Sequence, residues 1–194
     1  MGWTHIQTQT ASSDTEIDFT IDGTYDEIMF SITNFKPGTD QHEIEWQVIT
    51  SSYGSYNRGI QSAAYHISQN FNDSWGLVED ANSPTAQQHS SDALTQAFMQ
   101  GAEGSTTTGA AGDATQFSSS GYLIFFRPQE TGHWKHFQGN SASVYTGDGS
   151  LTQTYNYCFS FAGYVKELQA LTGIRFKCLT GNISVGTFSM YGLA

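Results

Sequence analysis

The stretch Tyr25-Asp26-Glu27-Ile28-Met29-Phe30-Ser31-Ile32-Thr33-Asn34-Phe35-Lys36-Pro37-Gly38 decides the fold class. Successive side chains of a strand point to opposite faces, so a period of two puts Ile28, Phe30 and Ile32 on one side. Lys36-Pro37-Gly38 ends the run, because proline removes a ladder donor and glycine accepts the turn. The same alternation recurs in both directions. Upstream, Ile17, Phe19 and Ile21 alternate with Asp18 and Thr20. Downstream, Ile44, Trp46 and Val48 alternate with Glu43, Glu45 and Gln47, which predicts a solvated outer face. Tyr155, Tyr157, Phe159 and Phe161 share a face, as do Ile174, Phe176 and Cys178. Residues 59–69 form a weaker candidate marked by Ile60, Ala64, Tyr65 and Ile67. Gly121-Tyr122-Leu123-Ile124-Phe125-Phe126-Arg127-Pro128 is nearly continuous in apolar residues and reads as a strand buried on both faces. His133-Trp134-Lys135-His136-Phe137 reads as another strand, and Gly181-Asn182 as a hairpin turn into a last one. In that last strand Gly186 marks a bulge or close approach, Phe188 and Met190 face one side, and Tyr191 the other.

These runs predict an all-β chain: a jelly-roll-like antiparallel β-sandwich of about nine to eleven short strands. Residues 1–194 read as a single domain. Charged residues make up only 13% of the chain and aromatics 14%, so a neutral-polar surface surrounds an aromatic interior. Two segments escape the pattern. In residues 79–100, Pro84 is followed by Ala93-Leu94-Thr95-Gln96-Ala97-Phe98-Met99, which fits a short helix or a strand. Residues 101–120 are rich in Gly, Ala, Ser and Thr and read as a long irregular loop, a contact arm or a mobile segment.

Charge and motifs exclude most function classes. Eighteen acids against seven bases give a net charge of −11, and the bases are scattered singly. A nucleic-acid site needs a basic stripe, so none is expected. No apolar run is long enough for a transmembrane helix, and Met1-Gly2-Trp3-Thr4-His5 lacks the features of a signal peptide. Cys158 and Cys178 read either as buried small hydrophobes or as a bridge between adjacent strands, and spacing does not decide between them. Assembly in a cytoplasm would keep them reduced.

Catalytic constellations are missing. His42-Glu43 lacks the second histidine of a zinc helix, and His133 and His136 fall on opposite faces of a strand. There is no nucleophile elbow, phosphate loop or dinucleotide fingerprint. Asp26 and Glu27 point apart, and Glu43 and Glu45 belong to a solvated strand face, so no glycosidase pair is expected. Asp40, Asp73, Asp80, Asp113 and Asp148 lack calcium-loop spacing. The expectation is therefore a non-enzyme with no cofactor and no metal. Asn72-Asp73-Ser74 and Asn182-Ile183-Ser184 match the glycosylation sequon, which matters only in a secretory pathway. The candidate surface-binding residues are Tyr53 and Tyr56, in a Ser/Gly/Tyr loop suited to adaptable contacts, and Trp75, flanked by Asp73, Ser74 and Gly76. The alternative for each is an aromatic ring folded back on the sheet.

The C-terminal segment Ile174-Arg175-Phe176-Lys177-Cys178-Leu179-Thr180-Gly181-Asn182-Ile183-Ser184-Val185-Gly186-Thr187-Phe188-Ser189-Met190-Tyr191-Gly192-Leu193 resembles a closing "IRF…GNI…G…LYGI" pattern. That pattern recurs in virion proteins of tailed phages, especially marine ones, including small structural proteins and fibre tips. Thr10-Ala11-Ser12-Ser13, the run from Tyr25 to Phe30, Asn34-Phe35-Lys36-Pro37 and the run from Gly121 to Pro128 followed by Lys135-His136-Phe137 are similar to the same group, in the same order. Cys178 stands where an aliphatic is usual and Met190 where leucine is common. The resemblance implies a virion structural protein and transfers no catalytic residue. Its expected partners are capsid or tail proteins and further copies of itself, as a trimer or other small oligomer. The strands run from near Trp3 to Leu193 with no shaft or anchoring domain, which favours a head decoration protein over the alternative, a tail-fibre or tail-tip module that binds a host surface glycan.

Overall fold

Each alternating run forms a strand in a computed structural model, which describes residues 2–38, 44–52, 54–56, 58–70, 89–93, 96–99, 118–146 and 154–194. Among the described residues there are twelve strands: β1 (Thr4–Asp14), β2 (Glu16–Thr20), β3 (Glu27–Pro37), β4 (Ile44–Thr50), β5 (Ile60–Asn70), β6 (His89–Ala93), β7 (Gln96–Met99), β8 (Ser119–Phe126), β9 (Lys135–Thr146), β10 (Thr154–Val165), β11 (Leu171–Cys178) and β12 (Ile183–Leu193). They form an eight-stranded sheet, β1-β12-β3-β8-β9-β10-β5-β6, and a four-stranded sheet, β2-β11-β4-β7. The expectation of an all-β sandwich is met. The segment that suited helix or strand supplies β7, while residues 101–117 lie outside the described residues.

The strand order identifies the jelly roll. Without β5, β6, β9 and β10, the sheets reduce to β1-β12-β3-β8 and β2-β11-β4-β7. Consecutive strands then alternate between sheets except at the β4–β7 pair, which is the double Greek key of a jelly roll. The four extra strands all extend the larger sheet beyond β8.

Between the sheets lies an aromatic core. Phe30 and Phe125 meet Phe19, Trp46 and Phe176 across it, and Trp46 stands edge-on to Phe125 at 5.3 Å and to Phe137 at 4.9 Å. Such pairs add about 0.5–1.5 kcal/mol each beyond their burial. The Trp46 indole N–H is buried with no hydrogen-bond partner among the described residues, which offsets about 1–3 kcal/mol of that gain.

Several sequence expectations need correction. Among the apolar residues of β8 only Leu123 and Phe125 are fully buried; Tyr122, Ile124 and Phe126 are half-exposed on the outer face. An antiparallel sheet covers one face with its partner sheet and leaves the other open, so the apolar run is not buried twice. The outer face of β4 is not simply solvated either. Glu45 is buried, because the cross-strand Lys177 of β11 closes over it at 3.5 Å; Glu43 lies outside the described residues.

Gly181-Asn182 does not make a hairpin. It joins β11 and β12, which lie in different sheets, so the turn is an arch across the core edge, with Gly181 at φ 78°. Gly186 does sit in an irregular stretch: the β12–β3 register shifts between Ile183 and Val185 and again across Gly186, between Val185 and Thr187, and Asn34 in the facing stretch of β3 takes φ 53°. The cysteines form no bridge. Cys178 is buried as expected, but Cys158 is exposed, and the two occupy strands of different sheets. His133 lies in the bend before β9 rather than on the strand.

Candidate functional site

Of the three aromatic residues singled out from the sequence, Tyr53 and Trp75 lie outside the described residues, as do Asp40, Asp73, Asp80, Asp113 and Asp148. Tyr56 is half-buried and folds back onto the outer face of the four-stranded sheet. Its ring covers the guanidinium of Arg175 at 4.3 Å. Strand alternation puts Arg175 and Lys177 of β11 on that face, and register sets Asp18 and Gln47 beside Arg175, Glu16 and Glu45 beside Lys177. Arg175 donates Nε to Asp18 Oδ1 at 2.8 Å and Nη2 to Asp18 Oδ2 at 2.7 Å, and Nη1 lies 2.8 Å from Glu16 Oε2. The bidentate bond to Asp18 raises the Arg175 pKa further above its ordinary value, while burial and the charge of Asp18 raise that of the Tyr56 phenol. A Cβ on Gly173 would lie 2.9 Å from the Phe19 carbonyl and 3.3 Å from the Tyr56 hydroxyl, so glycine leaves the room Tyr56 uses. The cluster's charges satisfy one another. Three carboxylates share two cations, Asp18 and Glu16 on Arg175 and Glu45 on Lys177, and no acid pair is set apart for catalysis.

The outer face of the eight-stranded sheet is different. Register aligns His5, Tyr191, Met29, Ile124, Gln138, Ala162 and Ala63 in one row across seven strands. Tyr191, Met29 and Ile124 are half-exposed there, with Tyr122, Phe126 and Leu193 beside them on the same face. The carboxylate of Glu27 is the nearest charge in the pairing, one row along. Over β8 to β10, Tyr122, Asn140, Ala142, Cys158 and Ser160 edge an open recess of about 390 Å³, in which Asn140 donates to the Tyr122 hydroxyl at 2.8 Å.

At the end of this face, over the added strands, lies a second aromatic feature. Trp134 stacks on Tyr164 with ring centroids 4.7 Å apart and planes within 11° of parallel. His136 and Gln61 flank Tyr164 in register on β9 and β5, the His136 ring 6.3 Å away, and the Tyr164 hydroxyl donates to Gln61 Oε1. Beneath, Lys135 is only 1% exposed; its Nζ donates to the carbonyls of His133 and Glu167, the latter at 3.4 Å. Burial lowers the Lys135 pKa. Gly132 N–H donates to Leu168 O at 2.8 Å, and Arg58 pairs with Glu167 at 3.4 Å, so both turns under Trp134 are tied down.

Sequence reading passed over this pair. Trp134 appeared in it only as part of a strand, and Tyr164 lay thirty positions away with no local motif to join them. The usable signal was the solvent side of two strands, which needs their pairing to be known. Among the described residues no group of three or more His, Cys, Asp and Glu is placed to hold a metal ion. Comparison with protein-family models, curated proteins and solved structures finds no match to the chain.

Proposed function

We propose that this chain is a non-enzymatic structural protein on the surface of a tailed-phage particle, foremost a head decoration protein. The observation that carries the reading is the charge-poor outer face of the eight-stranded sheet, where Tyr191, Met29 and Ile124 stay half-exposed in one row. Protein–protein interfaces are depleted of charge at their centres and enriched in Tyr, Phe and Met, and an exposed patch of this kind marks a docking surface. The resemblance of the C-terminal segment to phage virion proteins supplies the setting, and other virion proteins or further copies of the chain are the partners. Jelly rolls serve in capsids and lectins alike, so the fold supports a surface role by analogy only.

Mass spectrometry and antibody labelling of purified particles test this. The expected result is labelling over the head at a copy number that follows capsid symmetry. Absence from particles overturns the proposal. A copy number that follows tail symmetry overturns the decoration role and favours the second reading, a receptor-binding module. That second reading has its own support in the exposed Trp134–Tyr164 stack.

A further inference from the structure

We infer that Trp134, Tyr164, His136 and Gln61 form a binding platform for the ring of a neutral pyranose saccharide. The inference rests on the second reading above for its biological setting but not for its chemistry. A pyranose presents one face of C–H groups and a rim of hydroxyls. It is matched by a flat aromatic face bordered by neutral hydrogen-bonding groups, because the negative π face attracts the slightly positive C–H edge.

Trp134 offers such a face. It is 45% exposed although one side of its ring lies on Tyr164, so the other side is turned to solvent. A tryptophan that only completed the core would be covered on both sides, as Trp46 is. The rim is also in place. Tyr164 occupies Gln61 Oε1, which leaves the Gln61 amide nitrogen as the outward donor; it has no other partner among the described residues. His136 is exposed, stands in register beside Tyr164, and its ring nitrogens have no hydrogen-bond partner among the described residues.

The platform is set before any ligand arrives. Lys135 holds the backbone at His133 and Glu167, and the Gly132–Leu168 bond joins the two turns, so little ordering entropy is lost on binding. The acids close by, Glu130 and Glu167, are paired with Arg127 and Arg58, so it is the chain's net charge of −11 that disfavours sialylated or otherwise acidic glycans.

The test is a glycan array of neutral and acidic oligosaccharides probed with the purified chain, followed by tryptophan-fluorescence titration with the best neutral binder. Saturable binding with a Kd of about 1 mM or tighter is expected. Trp134→Ala should weaken it about tenfold or more, and Gln61→Ala and His136→Ala should each weaken it about threefold. Trp3→Ala, at a tryptophan 38% exposed before the opposite edge strand, should leave it unchanged. Thermal melts check that each variant folds. Should Trp134→Ala fail to fold, Tyr164→Phe keeps the stack, frees Gln61 and should still weaken binding. Binding of acidic glycans alone, binding of no saccharide, or neutral binding that survives loss of Trp134 overturns the inference. The particle-labelling result does not depend on any of these, so the two readings fail separately.

Discussion

The outer face of the four-stranded sheet sets Glu16, Asp18, Glu45, Arg175 and Lys177 on three adjacent strands, whereas the outer face of the eight-stranded sheet runs Tyr191, Met29 and Ile124 across its jelly-roll strands with Trp134 and Tyr164 beyond them. On the first, every charge has its opposite within about 3.5 Å and Tyr56 covers the central guanidinium. On the second, apolar surface remains in water. A face whose groups are already paired gains little from a partner, while exposed aromatic and aliphatic area gains by being covered. On the proposed function, stability and association are divided between the two sides of one sandwich.

The division can be broken or sharpened by experiment, and the largest effect should come from pH. Burial, assisted by the charge of Glu45, pushes the Cys178 thiol up to about 12. Its folded pKa exceeds its unfolded one, so the stability it contributes is complete below about pH 9 and is lost as pH rises toward 12, a fall on the order of 4 kcal/mol over the full window. Urea midpoints from pH 8 to 11 should fall for the natural chain and fall less steeply for Cys178→Ala. A parallel slope would remove Cys178 from the account.

Next in size, Lys135→Met should cost about 1–3 kcal/mol, because the carbonyls of His133 and Glu167 lose a buried donor. Chemical denaturation measures that loss, and faster amide exchange at residues 132–134 and 166–168 would show the turns released. Arg175→Ala should cost about 1 kcal/mol, with the difference from the natural chain shrinking in high salt, since the cluster is partly exposed. It should leave particle attachment intact. Smallest in stability is Ile124→Lys, which should stay within about 0.5 kcal/mol of the natural chain because its side chain already meets water. The same change should abolish incorporation into particles, measured by pull-down with purified heads. Normal incorporation of Ile124→Lys would show that this face is not the one that meets the particle.

Strand existence was legible because a half-buried strand must alternate, and Ile28-Phe30-Ile32 and Ile174-Phe176-Cys178 do so without interruption. Which strand face meets water was less legible. The apolar run in β8 looked buried on both sides, yet Ile124 and Phe126 face outward, because exposure depends on whether a second layer lies above the sheet. Glu45 failed in the opposite direction, read as solvated and found buried under Lys177. Cys158 looked like Cys178, and register turned it outward opposite Ala142. The binding candidates fared by the same rule. Tyr56 proved to be the cover of an ion cluster, and the Trp134–Tyr164 stack, formed by residues far apart in sequence, had no local signature.

By itself the sequence determined the all-β class, the aromatic interior and the low surface charge, since these follow from local periodicity and composition. Tertiary structure alone decided the jelly-roll order, the extension of one sheet by β5, β6, β9 and β10, and the contrast between the two outer faces. The physical reason is that a period of two says which residues share a face, while strand pairing across long sequence separations says which faces become neighbours and which are left to the solvent.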